Sequence, residues 1–232
     1  MKIRIYNNTL NPDLWNPDNT LKEEVRENLL KIAQDFYTDT KLTAPIEDVI
    51  MLGSSANYNW TPSSDIDLHV VIDLKKLGAN EDINKQLVDA LKANWNKNHN
   101  ILIKNKKVEV YIQDVNEVNR STGVYSLLNN QWKMIPQKLH IQLDNKLIQQ
   151  KYSNYVLQIN DAIQSRDLDK MKRVLKSLFD MREVGLSKSG EYSTENIVFK
   201  ILRSRNYIEN LKTAINSIYD SSVSIRERIK YC

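Results

Sequence analysis

The sequence predicts an α+β protein: a mixed sheet with flanking helices over about residues 1–135, followed by a helical region over about 136–232. Three observations carry this prediction. Short runs in which apolar residues alternate with polar ones occur only in the first part. Segments of helical spacing lie between those runs. Beyond about residue 137 only the helical spacing remains.

The elements follow in order. Ile3 and Ile5 alternate briefly before a Pro- and Asn-rich turn region over 7–19. Leu21, Val25, Leu29, Ile32, Ala33 and Phe36 then recur at helical spacing, which predicts a helix over about 20–38 capped by Asn19 or Thr20. Pro45 interrupts the chain. Val49-Ile50-Met51-Leu52 reads as a short buried strand ending at Gly53. Residues 53–64 are turn-rich. From Asp65 to Asp73 the apolar residues are Ile66, Leu68, Val70 and Ile72, with polar residues between them and Val71 as the exception. That period of two gives a strand with one buried and one wet face, and both Asp65 and Asp67 belong to the wet face.

A helix is expected over about 80–98, carrying Ile83, Leu87, Val88, Leu91 and Trp95 on one side. Over Lys107–Gln113, Val108, Val110 and Ile112 point one way and Glu109, Tyr111 and Gln113 the other. Val124–Trp132 suggests a hairpin around Asn129-Asn130. Three helices follow: one long helix from Leu139 to Ile163, a second around Leu168–Phe179, and, after a loop at Gly185–Gly190, a third through Ile197–Ile215. Ser193 can cap that last helix.

Composition narrows the class. Apolar residues make up 41% and charged residues 27%, ordinary values for a globular protein. The single cysteine, Cys232, excludes an internal disulfide framework and a cysteine-rich zinc site, and it points to a reducing cytoplasm. The N-terminal residues lack the apolar core of a signal peptide, and no run approaches the roughly 18 apolar residues of a membrane span. Net charge is +4, and the excess lies late in the chain: residues 151–232 carry 15 Lys and Arg against 10 Asp and Glu, whereas 1–150 carry 18 against 19. That basic half could meet nucleic acid, or it could be an ordinary solvated helix surface.

The pattern that carries chemistry is a strand, then Gly53-Ser54, then a ten-residue spacer, then Asp65-Ile66-Asp67. A Gly-Ser turn offers backbone N–H groups and a small hydroxyl to phosphate oxygens, and glycine admits close approach. Aspartates at i and i+2 on a strand point the same way and can hold a hard divalent cation. Phosphoryl and nucleotidyl transfer uses such ions to neutralise the triphosphate. Strand parity makes Glu109 the candidate third carboxylate, with Asp114 second. Asp73 lies about 20 Å along the strand from Asp67, too far to share an ion.

The stretch GSSANYNWTPSSDIDLHVVID resembles the signature of the DNA polymerase beta-like nucleotidyltransferase superfamily. More closely, LNPDLWNPDNTLKEEVRENLLKIAQDFY, VEVYIQD, GVYSLLNNQW and GEYSTENIVFKILRSRNYIENL resemble small nucleotidyltransferase-like proteins encoded by bacteriophages, which would place the chain in the host cytoplasm. The resemblance implies that Asp65 and Asp67 bind Mg²⁺ or Mn²⁺ and that Glu109 supports the catalytic ion. It also implies that Gly53 and Ser54 cradle a nucleoside triphosphate, whose nucleoside monophosphate passes to an acceptor hydroxyl on RNA, protein or a small molecule. The superfamily's third acid is often Asp, so Glu109 departs from its pattern.

Other residues carry two readings. Lys172 and Lys176 share a helix face and could grip a triphosphate, or simply face water. Ser55 and Asn57 could touch phosphate or merely shape the loop. Tyr58 and Trp60 could stack on a base or pack the loop down. His69 could approach substrate or be structural, while His99 and His140 have no companions for a metal set. Two alternatives to catalysis remain: a nucleotide- or signal-binding module using the same pocket, and a nucleic-acid-binding protein using the basic half.

Overall fold

The computed structural model describes residues 7–62, 64–78, 80–119, 121–138 and 143–225. The chain divides into two compact units, Met1–Leu139 and His140–Cys232. Among the described residues there are six strands in one mixed sheet and six α-helices.

In the first unit, α1 (Glu23–Thr40) turns Val25, Leu29, Ile32, Ala33 and Phe36 into the core. Burying each of the larger ones contributes roughly 1.5–3 kcal/mol. The helix starts later than the sequence suggests, and neither Asn19 nor Thr20 caps it; Lys22 stands at the N-cap without a side-chain bond. Thr20 is used elsewhere. Its N–H and hydroxyl both donate to Asp18 Oδ1, at 3.0 and 2.6 Å, and its carbonyl accepts from Asn16 N–H, closing a tight turn.

The sheet runs β3-β4-β2-β1-β5-β6, where β1 is Ile46–Leu52, β2 Ile66–Ile72, β3 Leu102–Ile103, β4 Lys106–Asp114, β5 Val124–Ser126 and β6 Gln131–Met134. Neighbours are antiparallel except β2 and β4, which run parallel. α2 (Glu81–Asn98) supplies the crossover that a parallel pair requires. Its Asn96 accepts from Val110 N–H at 3.0 Å and donates to Val110 carbonyl at 2.9 Å, satisfying backbone groups of β4 that would otherwise stand open.

The burial of β2 alternates as expected. Ile66, Leu68, Val70 and Ile72 join α1, Val88 and Trp95 of α2, and Val108 and Val110 of β4 in the main core. Val71, the apolar exception, has its own explanation: with Ile50 and Val124 it forms a small cluster on the opposite face. The expected hairpin is present as β5–β6, pinned to β1 by Asp48. That buried carboxylate accepts from Ser126 Oγ at 2.7 Å, from Val49 N–H at 2.8 Å and from Lys133 Nζ at 3.0 Å. β3 was not expected. It pairs with β4 through a two-residue turn at Lys104 and Asn105, both with positive φ, the backbone of a tight primed turn.

The second unit contains α3 (Asn145–Ser165), α4 (Leu168–Ser189), α5 (Thr194–Ser204) and α6 (Tyr207–Val223). It departs from the expected three helices in three places. α3 begins only at Asn145, where Asp144 accepts from Leu147 N–H; Leu143 precedes it and Leu139 lies outside the described residues. α4 runs through the expected loop, because Gly185 packs under the next helix: a Cβ there would stand 2.6 Å from both Ser193 Oγ and Glu195 Cβ. The expected last helix is two. Asn206, at φ 62°, breaks it, a conformation that asparagine tolerates well. Ser193 caps α5 as expected, accepting from Asn196 N–H.

Candidate active site

α1 and the core side of α2 cover one face of the sheet. The other face of β2 and β4 carries Asp67, His69, Glu109, Tyr111 and Gln113. The parallel register sets Asp67 beside Glu109 and His69 beside Tyr111. Asp114, the other candidate third acid, pairs with Ile72 at the far end, about 17 Å of strand from Glu109. It is also committed: it accepts from Leu74 N–H at 3.0 Å and Asn116 N–H at 2.7 Å. Burial pushes its carboxyl up, but these backbone donors outweigh that and leave it below the usual range. Asp73 caps the 3-10 turn Leu74–Leu77 by accepting from Lys75 N–H. Both acids therefore serve local structure.

β1 ends at Leu52, opposite Asp67, and the chain turns at Gly53. Gly53 has φ 75° and ψ −158°, a conformation essentially reserved for glycine. A Cβ on Gly53 would lie 2.0 Å from Asp67 Oδ2. The Gly-Ser turn and the second aspartate, separated by the spacer in sequence, are thus in direct apposition. Ser54–Ala56 continues as one 3-10 turn.

Contacts through side chains fasten this turn to its surroundings. Ser54 Oγ donates to Ser64 Oγ at 2.9 Å, and Ser55 Oγ donates to the Asp65 carbonyl at 2.6 Å. Trp15 Nε1 donates to the Ser55 carbonyl at 2.8 Å. Gly53 N–H donates to Ser121 Oγ at 3.2 Å, so this amide is spent within the protein rather than offered to a phosphate. Asn57 Nδ2 reaches Thr122 Oγ1 at 2.6 Å, and a Cβ on Gly123 would stand 2.0 Å from the Ala56 carbonyl. Ser121-Thr122-Gly123 is therefore a brace that sequence reasoning missed. Its one visible signal is Gly123, among only five glycines in the chain.

The secondary candidates divide. Ser55 and Asn57 are fully buried and shape the loop. Tyr58 is buried in the core, and Trp60 Nε1 donates to the Thr9 carbonyl at 2.9 Å; both fasten the loop down, as the packing reading has it. His69 stacks on Tyr111 (ring centres 4.7 Å apart, 27° between planes), and its Nδ1 lies 2.7 Å from Gln113 Oε1. Because Gln113 Nε2 donates to Asn119 Oδ1, Gln113 Oε1 is the acceptor and His69 Nδ1 carries the proton. Burial, reinforced by Lys92 and opposed by the Gln113 bond, pushes the imidazole down to about 4. It is neutral at physiological pH. Lys172 and Lys176 lie exposed on α4 in the second unit, where Lys176 pairs with Asp180 at 2.6 Å.

Glu109 is held on both oxygens. Lys107 Nζ donates to Oε1 at 3.2 Å and Tyr111 O–H to Oε2 at 3.0 Å. Among the described residues, no group of three or more His, Cys, Asp or Glu is gathered to hold a metal ion. Two of the three predicted ligands, Asp67 and Glu109, are carboxylates on adjacent strands, beside a turn that presses a bare glycine onto one of them, and carboxylate oxygen is the donor type that a hard divalent cation takes.

No protein-family model matches the chain, and no curated protein matches it. Among solved structures, the STING-associated CdnE c-di-GMP synthase from Capnocytophaga granulosa is similar at 16% identity over 87% of this chain and 67% of that chain. The TM-score of that match is 0.22, a likeness too slight to assign a shared fold. Among the described residues, no helix is long and apolar enough to cross a membrane.

Proposed function

We propose that the chain is a metal-dependent nucleotidyltransferase with a polymerase beta-like core, moving a nucleoside monophosphate from a nucleoside triphosphate to an acceptor hydroxyl with release of pyrophosphate. The observation that carries this reading is the apposition of Gly53 and Asp67 beside Glu109. A strand, a glycine turn, a carboxylate strand and an acid-bearing parallel neighbour meet at one end of the sheet. Asp65 and Asp67 would hold Mg²⁺ or Mn²⁺, with Glu109 completing the set. The ions, when bound, neutralise the triphosphate and polarise the attacked phosphorus.

The protein's own contribution is positional. Gly53 leaves room for a phosphate to approach the backbone, and Ser54 offers a hydroxyl that its exchange partner Ser64 can release. Glu109 can take the proton of the acceptor hydroxyl. A second reading, a binder that holds nucleotide without turnover, draws on one observation: both Glu109 oxygens already accept hydrogen bonds.

Calorimetry with each triphosphate in Mg²⁺, followed by mass spectrometry of the mixture, separates the two. The enzyme reading expects binding and a mass increment of one nucleoside monophosphate on some acceptor, the protein itself included. Binding with intact triphosphate across RNA, protein and small-molecule acceptors would establish the binder instead.

A further inference from the structure

Asp67 and Glu109 are directly opposed in the parallel ladder, and like charges so placed repel. The structure relieves this from within β4. Residues 107, 109 and 111 share a face, so the Lys107 ammonium and the Tyr111 hydroxyl both reach the Glu109 carboxylate, one on each oxygen. The two partners differ in how firmly they are held. Tyr111 is fixed by its stack on His69, which Gln113 and Asn119 hold in turn, and Lys92 Nζ stands 4.9 Å from its ring centre. Lys107 has a flexible side chain, 38% exposed, and ion pairs of that kind are weak. Lys107 and Asp65 also each immediately precede the first pair of the ladder, Val108 and Ile66.

We propose that Lys107 is the resident counter-cation of Glu109, exchanged for a divalent ion when one binds, and that Tyr111 is the positioning residue that keeps the carboxylate aimed during the exchange. This rests on the metal site proposed above. The ammonium leaves Oε1 as the metal arrives, while the phenol stays on Oε2. Lys107 offsets one carboxylate charge when no metal is bound and the divalent ion offsets two when it is, so the repulsion between Asp67 and Glu109 is reduced in both states.

The test is direct Mn²⁺ binding by paramagnetic resonance, with thermal melting at zero and saturating Mn²⁺. Lys107→Met removes the competitor. It is expected to lower the melting temperature without metal, to tighten Mn²⁺ binding roughly two- to fivefold, and to enlarge the Mn²⁺-induced thermal shift. Lys107→Arg restores values near wild type. Tyr111→Phe weakens Mn²⁺ binding about tenfold, as loss of a carboxylate's supporting hydrogen bond does. In a Glu109→Gln background the gain from Lys107→Met disappears. A lysine that acted on the ion only through space would tighten binding on removal whether or not Glu109 is present.

Unchanged or weaker Mn²⁺ binding in Lys107→Met overturns the proposal, as does a gain that persists without Glu109. If either occurs in a protein that still transfers nucleotide, the function stands and this inference alone fails. If the Lys107 and Glu109 dependence appears but no nucleotide is transferred, the inference stands and catalysis fails. A wild-type protein that binds no Mn²⁺ overturns both.

Discussion

Replacing Gly53 with alanine should damage the site from inside the fold. Two costs add. The backbone at φ 75° and ψ −158° is a glycine-only conformation, and forcing another residue into it costs about 1–3 kcal/mol. The new Cβ would also stand 2.0 Å from Asp67 Oδ2, where real contacts essentially never fall below 3.0 Å. The Asp67 carboxylate must therefore move by about 1 Å, and a misplacement of that size costs about a hundredfold in rate. Gly78→Ala is the matched control. Gly78 also has positive φ (79°), but nothing lies within 4 Å of a Cβ there, so only the backbone cost of about 1–2 kcal/mol applies. Urea unfolding and Mn²⁺ binding should be measured on both variants. Gly53→Ala should lose more stability than Gly78→Ala, and it alone should lose Mn²⁺ affinity and turnover. Equal stability losses with wild-type Mn²⁺ binding in Gly53→Ala would refute the reasoning.

Two further outcomes follow from the fold. Asp48→Ala strips a buried acceptor from Ser126, Val49 and Lys133, and should cost about 2–4 kcal/mol in urea unfolding; Lys133→Ala, at the exposed end of the same pair, should cost under about 1 kcal/mol. His69 is held neutral with its folded pKa pushed down to about 4, so its contribution is fully present above the unfolded value near 6.5 and is lost as pH falls towards 4. Wild type should lose up to about 3 kcal/mol more than His69→Gln between pH 6.5 and 4, and parallel pH–stability curves would show that folding does not depress the imidazole's pKa.

Much of the first unit is legible in sequence because a strand's period of two states which side chains share a face. That rule alone puts Asp67 with His69, and Glu109 with Tyr111, away from the core. Val71 breaks the rule only because Ile50 and Val124 offer it a second apolar cluster, and that cluster depends on strands distant in sequence. β3 escaped because two residues carry no period and because its turn uses Lys104 and Asn105 rather than a glycine pair. Gly185 reads as a breaker but serves as a packing surface for Ser193, and Asn206 reads as an ordinary helix residue but takes the left-handed backbone. Glycine and asparagine report what the backbone is permitted, and tertiary packing decides what it does.

The site shows the same division. Gly53, Asp65, Asp67 and Glu109 stand out as residue types on a pattern. The brace behind them does not: Ser121 reaches Gly53 across 68 residues, and Trp15 reaches Ser55 across 40. Nor could spacing foretell that Lys107 and Tyr111 would occupy Glu109, since the period of two puts the three side chains on one face without saying which of them meet.

The central claim is that the aspartate pair performs nucleotidyl transfer. Release of labelled pyrophosphate from γ-labelled triphosphates, in Mn²⁺ and with a panel of acceptors, tests it most directly. Wild type should release pyrophosphate and the Asp65→Ala/Asp67→Ala double variant should not, while both remain folded by circular dichroism. Equal release by the two proteins, or none by wild type with any triphosphate and acceptor, would contradict the account.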